Sequence, residues 1–158
     1  MSLEEKVVDL LIEKNYHISF AESCTAGLCS ARLVNVANAS KVFDAAFTTY
    51  ANAAKVKYLG VDNNTIEKYG VVSEEVAFEM ARGVAKETER EVGVGVTGIA
   101  GPTGATENKP VGMVCFGFSV NNEVKTFTKY FGNIGRQSVR SAACDFVFKT
   151  LSELLNNS

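Results

Sequence analysis

The sequence contains a single histidine, His17, among its 158 residues. A Ser-His-Asp triad would have to use this ring, but six residues of extended strand separate it from Ser23, about 20 Å at the usual rise per residue. A zinc site of histidine and cysteine would need a Cys-rich cluster. The four cysteines have neither C-x-x-C spacing nor the density of a disulfide scaffold; they are Cys24, Cys29, Cys115 and Cys144. We therefore expect reduced thiols, no metal site, and His17 as a strand-end residue with a satisfied ring nitrogen.

The sequence also lacks an excess of basic residues and a long apolar run. Its formal net charge of -2 indicates neither duplex nucleic acid nor an anionic membrane as a partner. No apolar run approaches the length of a membrane span, and the acidic, amphipathic start MSLEEKVVDLLIEK is unlike a signal peptide. We expect a cytoplasmic protein with no nucleic-acid and no membrane partner.

Apolar residues make up 46% of the chain and charged residues 22%, which fits one domain over residues 1–158. A capping box at Ser2 and Glu5 starts a first helix. HISFA then reads as a buried strand, residues 25 to about 36 as a helix, and AAFTTY at 45–50 as the next strand, a unit typical of parallel sheets.

The second half of the chain continues this alternation. A short helix runs from Asn52 to Gly60, and Ser73 caps a longer one. EVGVGVTG is a third strand, Asn121-Asn122 turns a hairpin, and a last helix runs from about Arg136 to Leu155. The pattern predicts an α/β fold: a three-layer α/β/α sandwich with a mixed, mostly parallel sheet and a C-terminal antiparallel hairpin.

Gly93, Gly95 and Gly98 spell G-x-G-x-x-G, which could suggest a dinucleotide site. That motif must open a helix after a strand, because the pyrophosphate rests on the helix N-terminus. Here the first two glycines lie within the strand pattern, and IAGPTG cannot open a helix. We interpret these glycines as positions of close packing.

The stretch AESCTAG carries the first candidate for chemistry. Ser23 is predicted at the N-terminus of a helix, where unpaired N–H groups favour a nucleophile and an oxyanion. The competing interpretation is that Ser23 only caps this helix. Cys24 is a rival nucleophile, since a helix N-terminus lowers the pKa of a thiol.

A serine without a histidine needs another base, and a lysine kept neutral by burial can serve. Lys55 follows the strand 45–50, whose carboxyl end should meet that of the strand ending at Ser23. Tyr50 closes the same strand and could orient Lys55 or the leaving group. Each of them alone is more often structural, and their joint position at one crevice is the informative part.

We expect the loop from Thr97 to Gly104 to leave the third strand at the same edge of the sheet. Its glycines expose N–H groups that can bind phosphate or an oxyanion, although a plain surface loop is an equal alternative. Arg136 and Arg140, one turn apart on the last helix, could clamp a phosphate or be solvated charges.

Four segments, AESCTAG, TTYANAAK, YGVVSEEV and VTGIAGPTG with KPVG, resemble the successive signatures of the CinA C-terminal domain family of nicotinamide mononucleotide amidohydrolases. The resemblance spans nearly the whole chain in the same order. It implies hydrolysis of the carboxamide of nicotinamide mononucleotide to nicotinate mononucleotide and ammonia, a salvage step in pyridine nucleotide metabolism, with no cofactor.

The resemblance also implies roles for individual residues. Ser23 is the expected nucleophile, with Lys55 and Tyr50 as its catalytic partners. The expected substrate-binding residues are Thr25, Thr97, Gly98, Gly101 and Arg140, the last as first choice for the phosphate.

Two departures from the family pattern leave these expectations in place. Many relatives have two glycines after the threonine, where this chain has Ala26 and Gly27. It also lacks the N-terminal molybdopterin-binding-like domain of some relatives, so we expect a stand-alone enzyme.

The family favours a homo-oligomer, with a dimer as the expected state. The alternatives are an amidase of another small amide and a nucleotide-binding or interaction module without catalysis.

Overall fold

The chain alternates between helices and strands before it ends in a hairpin and one long helix. The computed structural model describes residues 1–158, with six α-helices, five β-strands and a short 3-10 helix at Ala39–Lys41. In chain order the elements are α1 (Leu3–Lys14), β1 (Ile18–Glu22), α2 (Leu28–Leu33), β2 (Phe43–Thr48), α3 (Asn52–Leu59), α4 (Asn63–Tyr69), α5 (Glu74–Thr88), β3 (Val92–Gly98), β4 (Met113–Val120), β5 (Glu123–Tyr130) and α6 (Arg136–Asn156).

The five strands form one mixed sheet in the order β2-β1-β3-β4-β5. The pairs β1–β2 and β1–β3 are parallel, whereas β3–β4 and the hairpin β4–β5 are antiparallel. Helix α5 covers one face over β1, β3 and β4, and α1, α2 and α6 cover the other. The predicted three-layer α/β/α architecture with its C-terminal hairpin is therefore confirmed.

Alternating side chains of the buried strand β1 pack into the two layers of the core. Phe20 belongs to the large apolar cluster shared with α1, α2 and α6. Its ring packs edge-on against the ring of Phe148, with 6.5 Å between the ring centroids. Ala21 belongs to the smaller cluster under α5, with Met80 and Val84. Because both faces of β1 are covered, its residues read as a short continuous apolar run.

The helix ends follow the local sequence. Glu5 donates its N–H to Ser2 Oγ at 3.1 Å while Ser2 N–H donates to the Glu5 carboxylate, which confirms the capping box. Ser73 Oγ accepts from Val76 N–H at 3.2 Å, and Gly60 ends α3 with a φ of 70°. These caps satisfy groups that a helix end leaves unpaired.

The glycines of β3 allow α5 to lie close against the sheet, as predicted. A Cβ on Gly93 would stand 2.5 Å from Ala81 O, and one on Gly95 would stand 2.7 Å from Ala77 O. Both distances are far inside van der Waals contact with backbone. The first two glycines of the G-x-G-x-x-G pattern are therefore positions of close helix–sheet packing.

The helix predicted from Thr25 to about Val36 is wrong at both ends, because α2 covers only Leu28–Leu33. Ala26 and Gly27 have φ values of 47° and 91°, in the left-handed region, so the chain makes a turn before the helix begins. An alanine there costs roughly 1–2 kcal/mol relative to right-handed backbone. The methyl group at 26 is therefore a strained feature of this chain.

The single histidine and the cysteines have structural surroundings. His17 Nδ1 lies 2.7 Å from Asp44 Oδ1, which confirms a satisfied ring nitrogen. All four cysteines are buried free thiols. No group of three or more His, Cys, Asp or Glu side chains is placed to hold a metal ion. None of the helices combines the length and the apolar character that a membrane crossing requires.

Candidate active site

The carboxyl ends of β1, β2 and β3 meet at one edge of the sheet, as expected for parallel neighbours. Thr49 N–H donates to Glu22 O at 2.9 Å, and Ser23 N–H donates to Val96 O at 3.0 Å. The sheet pairing therefore continues one step beyond β1. This pairing holds Ser23 between the two neighbouring strands.

Lys55, near the start of α3, reaches the Ser23 hydroxyl from the β2 side. Its Nζ lies 3.1 Å from Ser23 Oγ, and it donates to Thr49 O at 2.7 Å and to Tyr50 O at 3.3 Å. The lysine is only 1% exposed and Ser23 is 8% exposed. The structure thus brings together two residues that are far apart in the sequence.

Burial lowers the pKa of Lys55 from its ordinary 10.5 to about 8, because desolvation disfavours the ammonium form. A neutral amine has two N–H bonds and one lone pair. When the two N–H bonds of the neutral amine are directed at the carbonyls of Thr49 and Tyr50, its lone pair is left for Ser23 Oγ, 3.1 Å away. This is the arrangement of a general base that accepts a hydroxyl proton.

A cavity of about 280 Å³ opens over this pair, close to the lower end of the usual range for small-molecule pockets. Ser23, Lys55 and Tyr50 line it together with Thr97 and Gly98. The loop after β3 adds Ile99, Ala100, Thr103 and Gly104, Cys24 and Arg136 also contribute, and Asn52, Val71 and Val72, which the sequence had not singled out, complete the lining. The pocket is therefore formed by segments that follow three different strands and precede α5.

The glycine-rich loop after β3 contributes mainly by shape. Thr97 Oγ donates to Val71 O at 3.0 Å, so the hydroxyl holds the opposite wall of the pocket. A Cβ on Gly98 would stand 2.7 Å from the Val114 side chain, and one on Gly101 would stand 2.5 Å from that of Val111. Gly101 itself does not line the cavity.

Arg136 crosses the mouth of the pocket from the first turn of α6. Its guanidinium donates to Gly101 O at 2.8 Å and to the Tyr50 hydroxyl at 2.9 Å. It thereby ties the loop after β3 to the end of β2. Tyr50 contacts Lys55 through its carbonyl and Arg136 through its ring hydroxyl, and its side chain is exposed.

Arg140, the sequence-based choice for the phosphate, lies behind the pocket. Its Nε donates to Cys24 O at 2.8 Å and its terminal NH₂ donates to Thr25 O at 2.9 Å. Neither Arg140 nor Thr25 lines the cavity, whereas Arg136 does. One helical turn separates the two arginines, and the direction in which each faces depends on packing that the sequence pattern leaves open.

Cys24 lines the pocket beside Ser23 but is poorly suited to nucleophilic attack. Desolvation by burial raises the pKa of its thiol to about 12. The expectation of a lowered pKa assumed that residue 24 lies at a helix N-terminus. The turn at Ala26 and Gly27 moves that terminus to Leu28, and Glu22 occupies the first amides of α2.

The backbone N–H groups of Cys24 and Thr25 have no acceptor within the chain. Both residues are buried, with exposures of 6% and 0%. Unpaired N–H groups are rare inside proteins, and here they directly follow the Ser23 hydroxyl. These two N–H groups are suited to stabilise a developing negative charge. They replace the N–H groups of the helix N-terminus, which the sequence had suggested for this role.

Two charged residues near the site carried no explicit role in the sequence-based interpretation. Glu22 is fully buried at the end of β1 and accepts from the N–H groups of Cys29 and Ser30. Lys109, in KPVG, donates to Val72 O at 2.6 Å and also to Tyr69 O. A carboxylate inside an apolar strand pattern was the available signal for Glu22.

A second cavity, of about 290 Å³, lies between the hairpin and the C-terminal end of α6. Its lining includes Glu123 and Lys125 but no nucleophile paired with a buried base. The pairing of a hydroxyl with a buried amine is found at the cavity over Ser23.

Known proteins resemble this chain over nearly its whole length. The model of the CinA C-terminal domain matches residues 1–155. A CinA-like protein from Kosmotoga olearia is 48% identical over 158 residues, which cover 98% of this chain and 38% of that protein. A competence-damage inducible protein from Alkaliphilus oremlandii is 48% identical over 159 residues, which cover 100% of this chain and 38% of that protein. The chain therefore spans less than two fifths of these curated relatives.

Solved structures agree with the family match. A CinA superfamily protein from Klebsiella pneumoniae superposes with a TM-score of 0.95 at 28% identity, covering 99% of this chain and 97% of that one. The competence/damage inducible protein CihA from Agrobacterium tumefaciens gives a TM-score of 0.90 at 35% identity, with 99% and 97% covered. The five-stranded α/β architecture is thus the architecture of these relatives.

Proposed function

Because this chain belongs to the CinA C-terminal domain family, we propose that it hydrolyses the carboxamide of nicotinamide mononucleotide to nicotinate mononucleotide and ammonia. Ser23 is the nucleophile and Lys55 the general base. The observation that carries the proposal is the buried amine of Lys55, 3.1 Å from Ser23 Oγ, with its pKa lowered to about 8.

In the acylation step, Ser23 Oγ attacks the carboxamide carbon while Lys55 Nζ accepts the hydroxyl proton. The C–N bond of the tetrahedral intermediate then breaks, and Lys55 returns the proton to the departing nitrogen, which leaves as ammonia. The product of this step is a nicotinoyl ester of Ser23.

The oxyanion of the tetrahedral intermediate is assigned to the free N–H groups of Cys24 and Thr25. A well-placed donor of this kind contributes about 3 kcal/mol to transition-state stabilisation. The same two N–H groups serve again when water attacks the ester with Lys55 as base. That second step releases the carboxylate and regenerates the Ser23 hydroxyl.

The phosphate of the substrate is assigned to Arg136, whose guanidinium lines the pocket. A planar guanidinium suits phosphate oxygens in a bidentate arrangement. Tyr50 and Gly101 O already hold this side chain in place. In this proposal Arg136 takes the role that the family resemblance suggested for Arg140, while Thr97, Gly98 and Gly101 shape the wall and the loop.

The proposal is tested by ammonia release from nicotinamide mononucleotide by the wild type and by the Ser23→Ala and Cys24→Ala variants. We expect Ser23→Ala to lose turnover and Cys24→Ala to keep most of it, because a thiol with a pKa near 12 stays protonated. Loss with Cys24→Ala alone would move the nucleophile to the thiol.

Two other outcomes would replace the proposal. If the wild type releases ammonia from other small amides but not from nicotinamide mononucleotide, the pocket is an amidase of different specificity. If the wild type binds the mononucleotide tightly without releasing ammonia from any amide, the chain is a nucleotide-binding module.

A further inference from the structure

Ser23 stands at the start of a turn, residues 23–27, that joins β1 to α2. Within this turn, Ala26 N–H donates to Ser23 O, and Ala26 and Gly27 are left-handed. Such a turn has little intrinsic preference for its observed shape. The bond from Ser23 N–H to Val96 O fixes where the turn begins, and the course of the chain beyond it depends on contacts from outside the turn.

Glu22 fixes the side of the turn next to α2. Its carboxylate accepts from Cys29 N–H at 2.9 Å, from Ser30 N–H at 3.1 Å and from the Ser30 hydroxyl. No lysine or arginine pairs with this fully buried carboxylate. Buried charge is tolerated when it is well hydrogen-bonded, and all the donors come from the first turn of α2, whose N-cap, Gly27, has no side chain to cap it.

Arg140 fixes the opposite side of the turn. It extends from α6 and donates to Cys24 O at 2.8 Å and Thr25 O at 2.9 Å. It forms no ion pair with a carboxylate. The two donors of its planar fork are therefore used on consecutive carbonyls directly after Ser23.

We propose that Glu22 and Arg140 are positioning residues that clamp the turn 23–27 from its two sides and hold the Ser23 hydroxyl at Lys55 Nζ. The inference deepens the proposed function and rests on it in taking Ser23 as the nucleophile. It gives both residues a role in catalysis without contact with the substrate.

Of the pair Ser23 and Lys55, the clamp holds only Ser23. Lys55 is held by Thr49 O and Tyr50 O, which belong to the segment between β2 and α3. Releasing the turn would move Ser23 away from an amine that stays in place. Arg136, the proposed phosphate contact, is held by Tyr50 and Gly101 and not by the turn. The loss is therefore expected in kcat and not in KM.

The kinetic test compares Arg140→Met, Arg140→Lys and Glu22→Gln with the wild type on nicotinamide mononucleotide. We expect Arg140→Met and Glu22→Gln to lower kcat about 100-fold, a loss that a displacement near 1 Å can produce, with KM within roughly twofold. Arg140→Lys keeps one charged donor and should recover part of kcat.

Arg32→Met is the matched control. Arg32 also links helices on the same face, since its guanidinium pairs with Glu4 and Asp145 and donates to Ser141 O. It has no contact with the turn 23–27. Its loss should lower the melting temperature without changing kcat.

A second readout does not need turnover. In the free protein, the pKa of Lys55 can be measured by NMR of ¹³C-labelled lysine. A displaced turn admits water to the amine, so its pKa should rise from about 8 toward 10.5 in Arg140→Met and Glu22→Gln but not in Arg32→Met.

The two readouts separate the clamp from the proposed function. If the wild type releases no ammonia, the proposed function fails, and the pKa of Lys55 in the variants still decides the clamp. If the Arg140 variants lower only the melting temperature, as Arg32→Met does, and leave kcat and the pKa of Lys55 unchanged, the clamp is overturned. Should Glu22→Gln fail to fold, the two Arg140 variants make this decision alone.

Discussion

Lys55 is the only lysine of the chain whose side chain is buried. Its surroundings offer two carbonyls and one hydroxyl and no carboxylate. A carboxylate at this distance would favour the ammonium form and raise the pKa. Because no carboxylate is among its hydrogen-bond partners, desolvation is the dominant effect on the pKa of Lys55. The lowered pKa makes the neutral amine accessible near neutral pH.

The pH dependence of turnover should follow this lysine. Because the proposed mechanism uses the neutral amine as the base, kcat/KM for nicotinamide mononucleotide should rise about tenfold per pH unit below the pKa of about 8 and level off above it. Ammonia release between pH 6 and 10 measures the profile. Lys55→Met should lower kcat by about 10²- to 10⁴-fold, the usual contribution of a general base.

An activity that is flat or falls across this range would contradict the assignment of Lys55 as base. Lys57→Met, on the exposed side of the same helix, is the matched control for the loss of one positive charge, since Lys57 is exposed and does not line the pocket.

At the scale of elements, the position of the pocket depends on how closely α5 lies against the sheet. Val71 and Val72, which line the cavity, directly precede this helix and are held by Thr97 and Lys109. The helix lies close to β3 where Gly93 and Gly95 leave room. A change in the spacing of α5 and β3 therefore reaches the pocket wall.

Gly95→Ala should destabilise this contact. The new methyl group would stand 2.7 Å from Ala77 O and 2.8 Å from Met80 Cβ, so the helix must shift. Overpacking of this kind costs about 1–3 kcal/mol of the free energy of unfolding, which urea denaturation measures. Ser19→Ala is the control on the neighbouring strand β1, because it removes a buried hydroxyl without a partner and should leave stability unchanged or higher.

An unchanged stability in Gly95→Ala would mean that α5 is free to move away from the sheet. The proposed wall of the pocket would then lack a fixed support.

At the scale of the whole molecule, the buried lysine weakens the fold at neutral pH. Its pKa falls from 10.5 to about 8 on folding, so the unfolded chain binds the proton more tightly. At about 1.4 kcal/mol per pKa unit, this difference lowers the free energy of unfolding by about 3 kcal/mol below pH 8. This loss disappears as the pH rises from 8 to 10.5.

Cys24 acts in the opposite direction at higher pH. Its pKa rises from 9.0 to about 12 on folding. The stability that it contributes is complete below pH 9 and is lost as the pH rises through 12. The window between pH 7 and 9 therefore isolates the effect of the lysine.

Lys55→Met should be more stable relative to the wild type at pH 7 than at pH 9. We expect the difference in the free energy of unfolding to shrink by about 1 kcal/mol between these pH values, because only the wild type has the titrating amine. Urea unfolding of both proteins measures it, and the Cys24 contribution cancels in the comparison. A difference that stays constant would mean that Lys55 has an ordinary pKa in the folded protein.

Much of the architecture could be predicted because its signals are local. The capping box at Ser2 and Glu5, the helix stop at Gly60 and the hairpin turn at Asn121-Asn122 each depend on residues within one turn of the chain. Hydrophobic periodicity separates strands from helices in the same local way. The three-layer fold follows from the order of these elements.

The helix predicted from Thr25 failed for a reason of the same kind. Apolar spacing continued through Ala26 and Gly27, but left-handed backbone at both residues shortened the helix. The period alone does not reveal a turn made by an alanine.

What the sequence alone settled was therefore the set of elements, their order and the candidates Ser23, Tyr50 and Lys55 at the ends of neighbouring strands. The tertiary structure decided which groups meet: that the Lys55 amine is buried against the hydroxyl, that Arg136 lines the pocket while Arg140 binds the turn, and that Glu22 takes the first amides of α2. Secondary structure depends on hydrogen bonds and side-chain periods within a few residues. Burial, pKa and the direction of a charged side chain depend on segments that are distant in the chain and become neighbours only when the sheet and its two helix layers pack.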